Sequence, residues 1–103
     1  MREPTFLILT ALARRRAHGY GIIQAVDELS AGRVRLRAGT LYTALDRLVA
    51  EGLLAEDGAE VVDGRHRRYY AITVDGRNAL AAEIVRLEAN AAAARRELGA
   101  ERA

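Results

Sequence analysis

The chain has 103 residues, a formal net charge of +2, 50% hydrophobic and 29% charged residues, and neither Cys nor Trp. That length holds one domain with a modest core and leaves no room for a deep cleft between lobes, while the missing Cys excludes disulfides, thiolate metal sites and a thiol nucleophile. No run of about 18 apolar residues is present to span a bilayer, and the stretch from Phe6 to Ala13, with Glu3 before it and Arg14 to Arg16 after, lacks the flanks of a signal peptide, so a soluble, cytoplasmic protein without a membrane partner is expected.

Pro4 suits the first turn of a helix, and Phe6, Leu9, Leu12 and Ala13 extend it as a buried stripe up to the arginine run. Gly19 and Gly21 break the chain. Ile22, Val26 and Leu29 then recur at helical spacing until Gly32 stops a second helix. From Arg33 to Arg37 charged and apolar residues alternate, which predicts a short, half-buried extended piece. A third helix follows over AGTLYTALDRLVAEGLL and ends near Gly52: Leu41, Leu45, Leu48 and Val49 make its apolar stripe, and Thr40, Thr43 and Arg47 lie along a second one.

Leu53 to Val62 and Arg67 to Ile72 read as two strands, with Asp63-Gly64 between them as a tight-turn signal. In the second strand Arg68, Tyr70 and Ile72 share one face and Arg67, Tyr69 and Ala71 the other; Tyr70 with Ile72 is expected on the core. From Asp75 to Leu98 there is no Pro, one early Gly and abundant Ala, Glu and Arg, which predicts a long helix. Residues from Gly99 on should fray.

Three helices, a hairpin and a long helix is the order of a winged helix-turn-helix, a mainly α fold with a small β-hairpin and here an appended helix. Residues 1–74 are the expected DNA-binding domain, and 75–103 the dimerisation helix and its tail. In such a fold the third helix enters the major groove of duplex DNA and the hairpin, or wing, lies over the adjacent backbone or minor groove. The charge pattern agrees. All 16 basic residues are Arg, the two signs balance over residues 75–103, and the whole surplus therefore falls in residues 1–74, a local positive surface on a nearly neutral molecule.

Three motifs, HGYGI at His18 to Ile22, GTLYTALDRLVAEGLL at Gly39 to Leu54, and RRYYAIT at Arg67 to Thr73 followed by Gly76, resemble the PadR family of transcriptional regulators in order and spacing. The resemblance covers roughly residues 4–77. It implies a bacterial, homodimeric regulator, most often a repressor, that binds a pseudo-palindromic double-stranded operator with arms similar to ATGT and ACAT and is released by a small-molecule inducer or another cue. Two departures stand out. Arg37 occupies the place of the small hydroxyl residue that usually caps the third helix, and no Trp is present to stack the flat drugs that multidrug-binding relatives hold on their last helix.

The candidate DNA-binding residues are Arg37, Thr40, Tyr42, Thr43 and Arg47 on or before the third helix, and Arg65, His66, Arg67 and Arg68 in the wing. Arg47 with the two threonines is either a solvated face or a reader of base edges; Tyr42 either packs or meets a phosphate; the wing residues either guard a sheet edge or meet the backbone. His18 and Tyr20 are read as packing and capping residues. Along the last helix Leu80, Ile84, Leu87, Ala91, Ala94 and Leu98 alternate at four and three, an a/d-like seam longer than the domain can cover, so a second subunit is expected on its outer half. No cofactor or metal is expected, since His18 and His66 have no third ligand nearby in sequence and no Cys accompanies them. Ser30, the one serine, lacks a nucleophile elbow, so no catalysis is expected. The rival reading is a winged-helix protein-interaction module that uses the same basic surface on an acidic protein.

Overall fold

A computed structural model describes residues 1–100. Its elements are α1 (Glu3–Ala11), β1 (Ala17–His18), α2 (Gly19–Leu29), α3 (Ala38–Ala50), β2 (Leu54–Val62), β3 (Arg65–Ile72) and α4 (Val74–Ala100). Pro4 sits in the first turn of α1, where its missing N–H costs nothing. The helix buries Leu7, Ile8 and Leu9, and Leu12 just past its end, with Phe6 and Ala13 only partly covered. That face is broader than the single stripe expected, because α1 packs against α2 on one side and α4 on the other.

Gly19 and Gly21, expected as a break, form the first turn of α2 instead. His18 makes this work: its Nδ1 accepts the Gly21 N–H at 3.2 Å and caps the helix. Ile22 and Val26 are buried as expected, but Leu29 is exposed and leaves the stripe. Ala17 and His18 also form β1, which pairs antiparallel with β3 through Ala17↔Tyr70 and His18↔Tyr69. The sheet therefore has three strands, ordered β1-β3-β2. Residues 33–37 join no sheet; Val34 and Leu36 are half-buried between exposed arginines, and Ser30 Oγ accepts the Val34 N–H at 2.9 Å.

The hairpin turns at Asp63 and Gly64, with φ of 52° and 77°, as a two-residue loop between right-twisted strands requires. β3 consequently begins at Arg65, two residues earlier than expected. The ladder slips between Glu56 and Ala59, leaving a bulge at Asp57 and Gly58.

One core, from Leu7, Ile8, Leu9, Leu12, Ile22, Val26, Leu41, Leu45, Leu48, Leu54, Tyr70 and Leu80, underlies all of this. The Tyr70 hydroxyl is buried with no hydrogen-bond partner among the described residues, and burial raises its pKa, with Arg68 nearby acting in the opposite sense. An unpaired buried hydroxyl costs about 1–3 kcal/mol, so Tyr70→Phe is expected to be neutral or to stabilise the fold by up to about 1 kcal/mol. Urea titration would show it. A loss of that size would mean the hydroxyl is bonded after all.

Thr73 starts α4: its Oγ1 donates to the Gly52 carbonyl at 2.7 Å and accepts the Gly76 N–H at 2.9 Å. Gly76 and Leu80 are buried against the domain, which removes Leu80 from the set expected to face a partner. Glu83, also buried, is held by Arg86 and by the Met1 amino group at 3.2 Å, contacts that keep its carboxyl at about 2. From Ile84 to Ala100 every residue is exposed except half-buried Ala92, and the projecting helix gives extents of 64 × 27 × 21 Å. Gly99 and Ala100 are helical where fraying was expected; the rest of that tail, 101–103, lies outside the described residues.

Candidate nucleic-acid interface

α3 presents two faces because its apolar residues recur with helical period: Leu41, Leu45 and Leu48 are fully buried, and Thr40, Tyr42, Thr43 and Arg47 are exposed. Arg37 stands at the N-cap with extended backbone, and its side chain makes no capping bond. The first-turn N–H groups of α3 are thus left without a side-chain acceptor, at the positive end of the helix dipole. Thr40 is exposed beside them. Thr43 Oγ1 donates to the Gly39 carbonyl at 3.0 Å, which fixes its rotamer and turns its methyl outward from that bond.

Arg47 is placed differently. Its Nη2 donates to Thr5 Oγ1 of α1 at 2.9 Å and its Nη1 to Glu51 Oε1 at 3.1 Å. Arg33 makes a parallel link, to Glu3 at 2.8 Å. The C-terminal end of α3 and the segment before it are in this way fastened to the first turn of α1. About 10 Å of helix axis separates Thr40 from Arg47, so the two threonines and the arginine do not converge.

The wing segregates charge by strand. β2, the sheet edge, carries Glu56, Asp57 and Glu60 and no Arg, while β3 carries Arg65, His66, Arg67 and Arg68 and no acid. Arg68 lies on the Tyr70 face and pairs with Glu56 at 3.6 Å. Arg65 and Arg67 have no ion-pair partner among the described residues. Both line an open groove of about 370 Å³ whose other walls are His18, Gly19 and Tyr20 at the start of α2, Tyr42 of α3, and His66. Tyr42 packs so tightly on α2 that a Cβ at Gly19 would collide with its hydroxyl.

Of the nine residues expected at the interface, Tyr42, Arg65, His66 and Arg67 therefore meet in one groove; Arg37, Thr40 and Thr43 lie along the exposed start of α3; Arg47 and Arg68 are engaged elsewhere. The wall supplied by α2 was not among the expected site residues. Its signal was present in HGYG, which places small residues where a helix N-terminus must approach another group closely. The start of a helix, two phenols, two imidazoles and two unpaired guanidiniums surround one open groove, a combination of charge and N–H donors with the chemistry to meet a phosphate.

The profile of the Transcriptional regulator PadR-like family matches residues 8–82. A 73-residue stretch is 47% identical to Transcriptional regulator Rv3488 of Mycobacterium tuberculosis, covering 71% of this chain and 64% of that protein, so the chain spans less than two thirds of that relative's length. Among solved structures, a PadR family transcriptional regulator from Eggerthella lenta superposes with a TM-score of 0.75 at 26% identity over 91% of this chain and 80% of its own. Bacillus subtilis PadR in complex with operator DNA has the same fold, with a TM-score of 0.72 at 21% identity over 82% of this chain and 48% of that one.

Proposed function

Because the chain belongs to the PadR-like family of transcriptional regulators, we propose that it binds duplex DNA as a homodimer and acts as a repressor, without catalysis and in the compartment that holds the genome. The groove joining the start of α2, Tyr42 and the unpaired wing arginines carries this reading. The fold shared with Bacillus subtilis PadR, solved on operator DNA, supports it. A phosphate enters the groove, the wing arginines neutralise it, and α3 is thereby seated with its N-terminal half toward the base edges, as recognition helices generally lie. Thr40 and Thr43 are assigned to bases, where a threonine methyl meets thymine or its hydroxyl an edge atom. Arg47 is assigned to holding α3 on α1, since Thr5 and Glu51 occupy its guanidinium.

The second subunit is assigned to the outer half of α4. Ile84 and Leu87 are each 42% exposed and Leu98 62%, with Ala91 and Ala94 between them. Seated there, two copies related by a twofold axis would present two α3 helices to successive major grooves roughly 34 Å apart, and the operator would be pseudo-palindromic. A second apolar groove, of about 280 Å³ between Phe6, Leu7 and Leu87 with Glu3, Arg33 and Glu83 at its walls, opens at this α1–α4 corner and is the place assigned to an inducer.

Titrations on a duplex selected from a random pool, and on a random duplex, separate the two roles. Thr43→Ala is expected to cost about 1 kcal/mol on the selected sequence and much less on random DNA. Arg65→Ala with Arg67→Ala is expected to weaken both equally and to lower the slope of log affinity against log salt by about 0.9 for each lost phosphate contact. Equal losses on both duplexes for both variants would refute the assignment, and indifference of the unaltered chain to any duplex would favour a protein-binding module.

A further inference from the structure

The groove exists only while the wing stands at the right pitch, and little of the wing touches the core. Residues 55–61 and 63–68 are all exposed, and the bulge at Asp57 and Gly58 interrupts the ladder where the ribbon leaves the domain. A bulge bends a strand and loosens its pairing. Something outside the ladder must hold the bend.

Arg16, in the loop between α1 and β1, spans that point. Its guanidinium lies 4.5 Å from the centroid of the Tyr69 ring on β3, and its Nη1 donates to the Asp57 carbonyl of β2 at 2.7 Å. Tyr69 is fixed in turn: its hydroxyl donates to Glu60, and the His18 ring meets it edge-on at 5.5 Å. The loop itself is tied to α4, since Arg77 Nη2 donates to the Ala13 carbonyl at 2.6 Å. Gly58 completes the fit. Its φ is +91°, and a Cβ there would stand 2.9 Å from Arg16 Nη1, so glycine both permits the bulge and admits the guanidinium. A flat cation that stacks and donates at once fits this role, and a lysine ammonium does not reproduce it.

We propose that Arg16 is a positioning residue for DNA binding: it does not touch the duplex, but clamps β2 and β3 together at the bulge and so sets the pitch at which Arg65 and Arg67 line the groove. This rests on reading that groove as the seat of a phosphate. Sequence alone hides the role, because Arg16 closes a run of three arginines that looks like a solvated corner.

Hydrogen exchange on the free full-length chain and duplex titrations test it together. Arg16→Ala is expected to speed amide exchange over residues 59–62 and 65–68 while leaving α3 unchanged. It is expected to weaken selected and random duplexes alike by roughly tenfold, the scale of one charge-assisted contact. In a chain already carrying Arg65→Ala and Arg67→Ala the same change is expected to cost nothing further, because a positioning effect vanishes with what it positions. Gly58→Ala, which displaces the guanidinium from the other side, should reproduce both results. Unchanged exchange overturns the proposal. So does an undiminished loss in the double-arginine background, which would mean that Arg16 meets DNA itself or merely stabilises the whole chain. If the unaltered chain bound no duplex, the phosphate reading would fall and the positioning role with it, a failure set apart by wing exchange that still rises in Arg16→Ala.

Discussion

Gly76→Ala lowers the free energy of unfolding by about 2–3 kcal/mol, the cost of overpacking where the neighbours cannot move aside. Elsewhere in a helix the exchange would be favourable by about 1 kcal/mol, since alanine is the better helix former. Here the sign reverses. A Cβ at position 76 would run into the Leu53 carbonyl oxygen and stand 2.8 Å from Ile72 Cγ1. The carbonyl cannot retreat, because it accepts the Thr73 N–H at 3.2 Å while Thr73 in turn holds Gly52 and Gly76. The first turn of α4 would have to lift off the base of the wing, taking Leu80 out of the core. At roughly 4–8 °C per kcal/mol for a domain of this size, the melting temperature should fall by about 10–20 °C. A variant as stable as the parent would show that α4 is not docked there.

In the proposed homodimer, Leu87→Asp should give monomers at micromolar concentration, since an unpaired carboxylate in an apolar seam costs about 3–5 kcal/mol of association. The side chain is 42% exposed in the single chain, so the fold itself should hardly notice. That separation makes the substitution informative. Deleting α4 would be a poorer test, because Gly76 and Leu80 belong to the domain core and their loss would unfold what it was meant to dissociate. Sedimentation of the variant settles the matter: a folded Leu87→Asp chain that remains dimeric removes this face from the interface.

Elements written by periodicity could be read from the sequence. The stripe Leu41, Leu45, Leu48 located α3 and its outward face, alternation over residues 33–37 located half-buried Val34 and Leu36, and alternation in the second strand put Tyr70 in the core, although Tyr69 and Ala71 on its other face are half-buried too. Asp63-Gly64 located the turn to the residue. What escaped depends on partners far along the chain. Two residues cannot show a period, so β1 becomes a strand only through Tyr69 and Tyr70. Gly19 and Gly21 look like a break even with His18 read as a capping residue, because the sequence does not show that its Nδ1 takes the Gly21 N–H and draws both glycines into the helix. Arg47 was placed on the threonine stripe by helical geometry alone, whereas its guanidinium goes where Thr5 and Glu51 are. Leu80 and Leu87 share one seam in sequence, and only the thickness of the domain decides that the first is inside and the second outside.

α4 is at once a core element at Gly76 and Leu80 and an uncovered rod from Ile84 onward, with no Gly or Pro between the two parts. A helix without a hinge transmits torsion, so whatever grips the rod dictates the azimuth of the domain fixed to its other end. Each residue advances that azimuth by about 100° and the axis by 1.5 Å. In the proposed dimer, one residue inserted between Glu83 and Ile84 would leave Leu80 in the core and Glu83 on Met1, and would swing the two α3 helices out of phase with the turn of the double helix. Seven would nearly restore the phase and add about 10 Å to the rod. The stretch between Leu80, the last apolar core residue, and Ile84, where the uncovered rod begins, thus works as a gear, and on the proposed reading its length would matter to operator recognition as much as the side chains assigned to the bases.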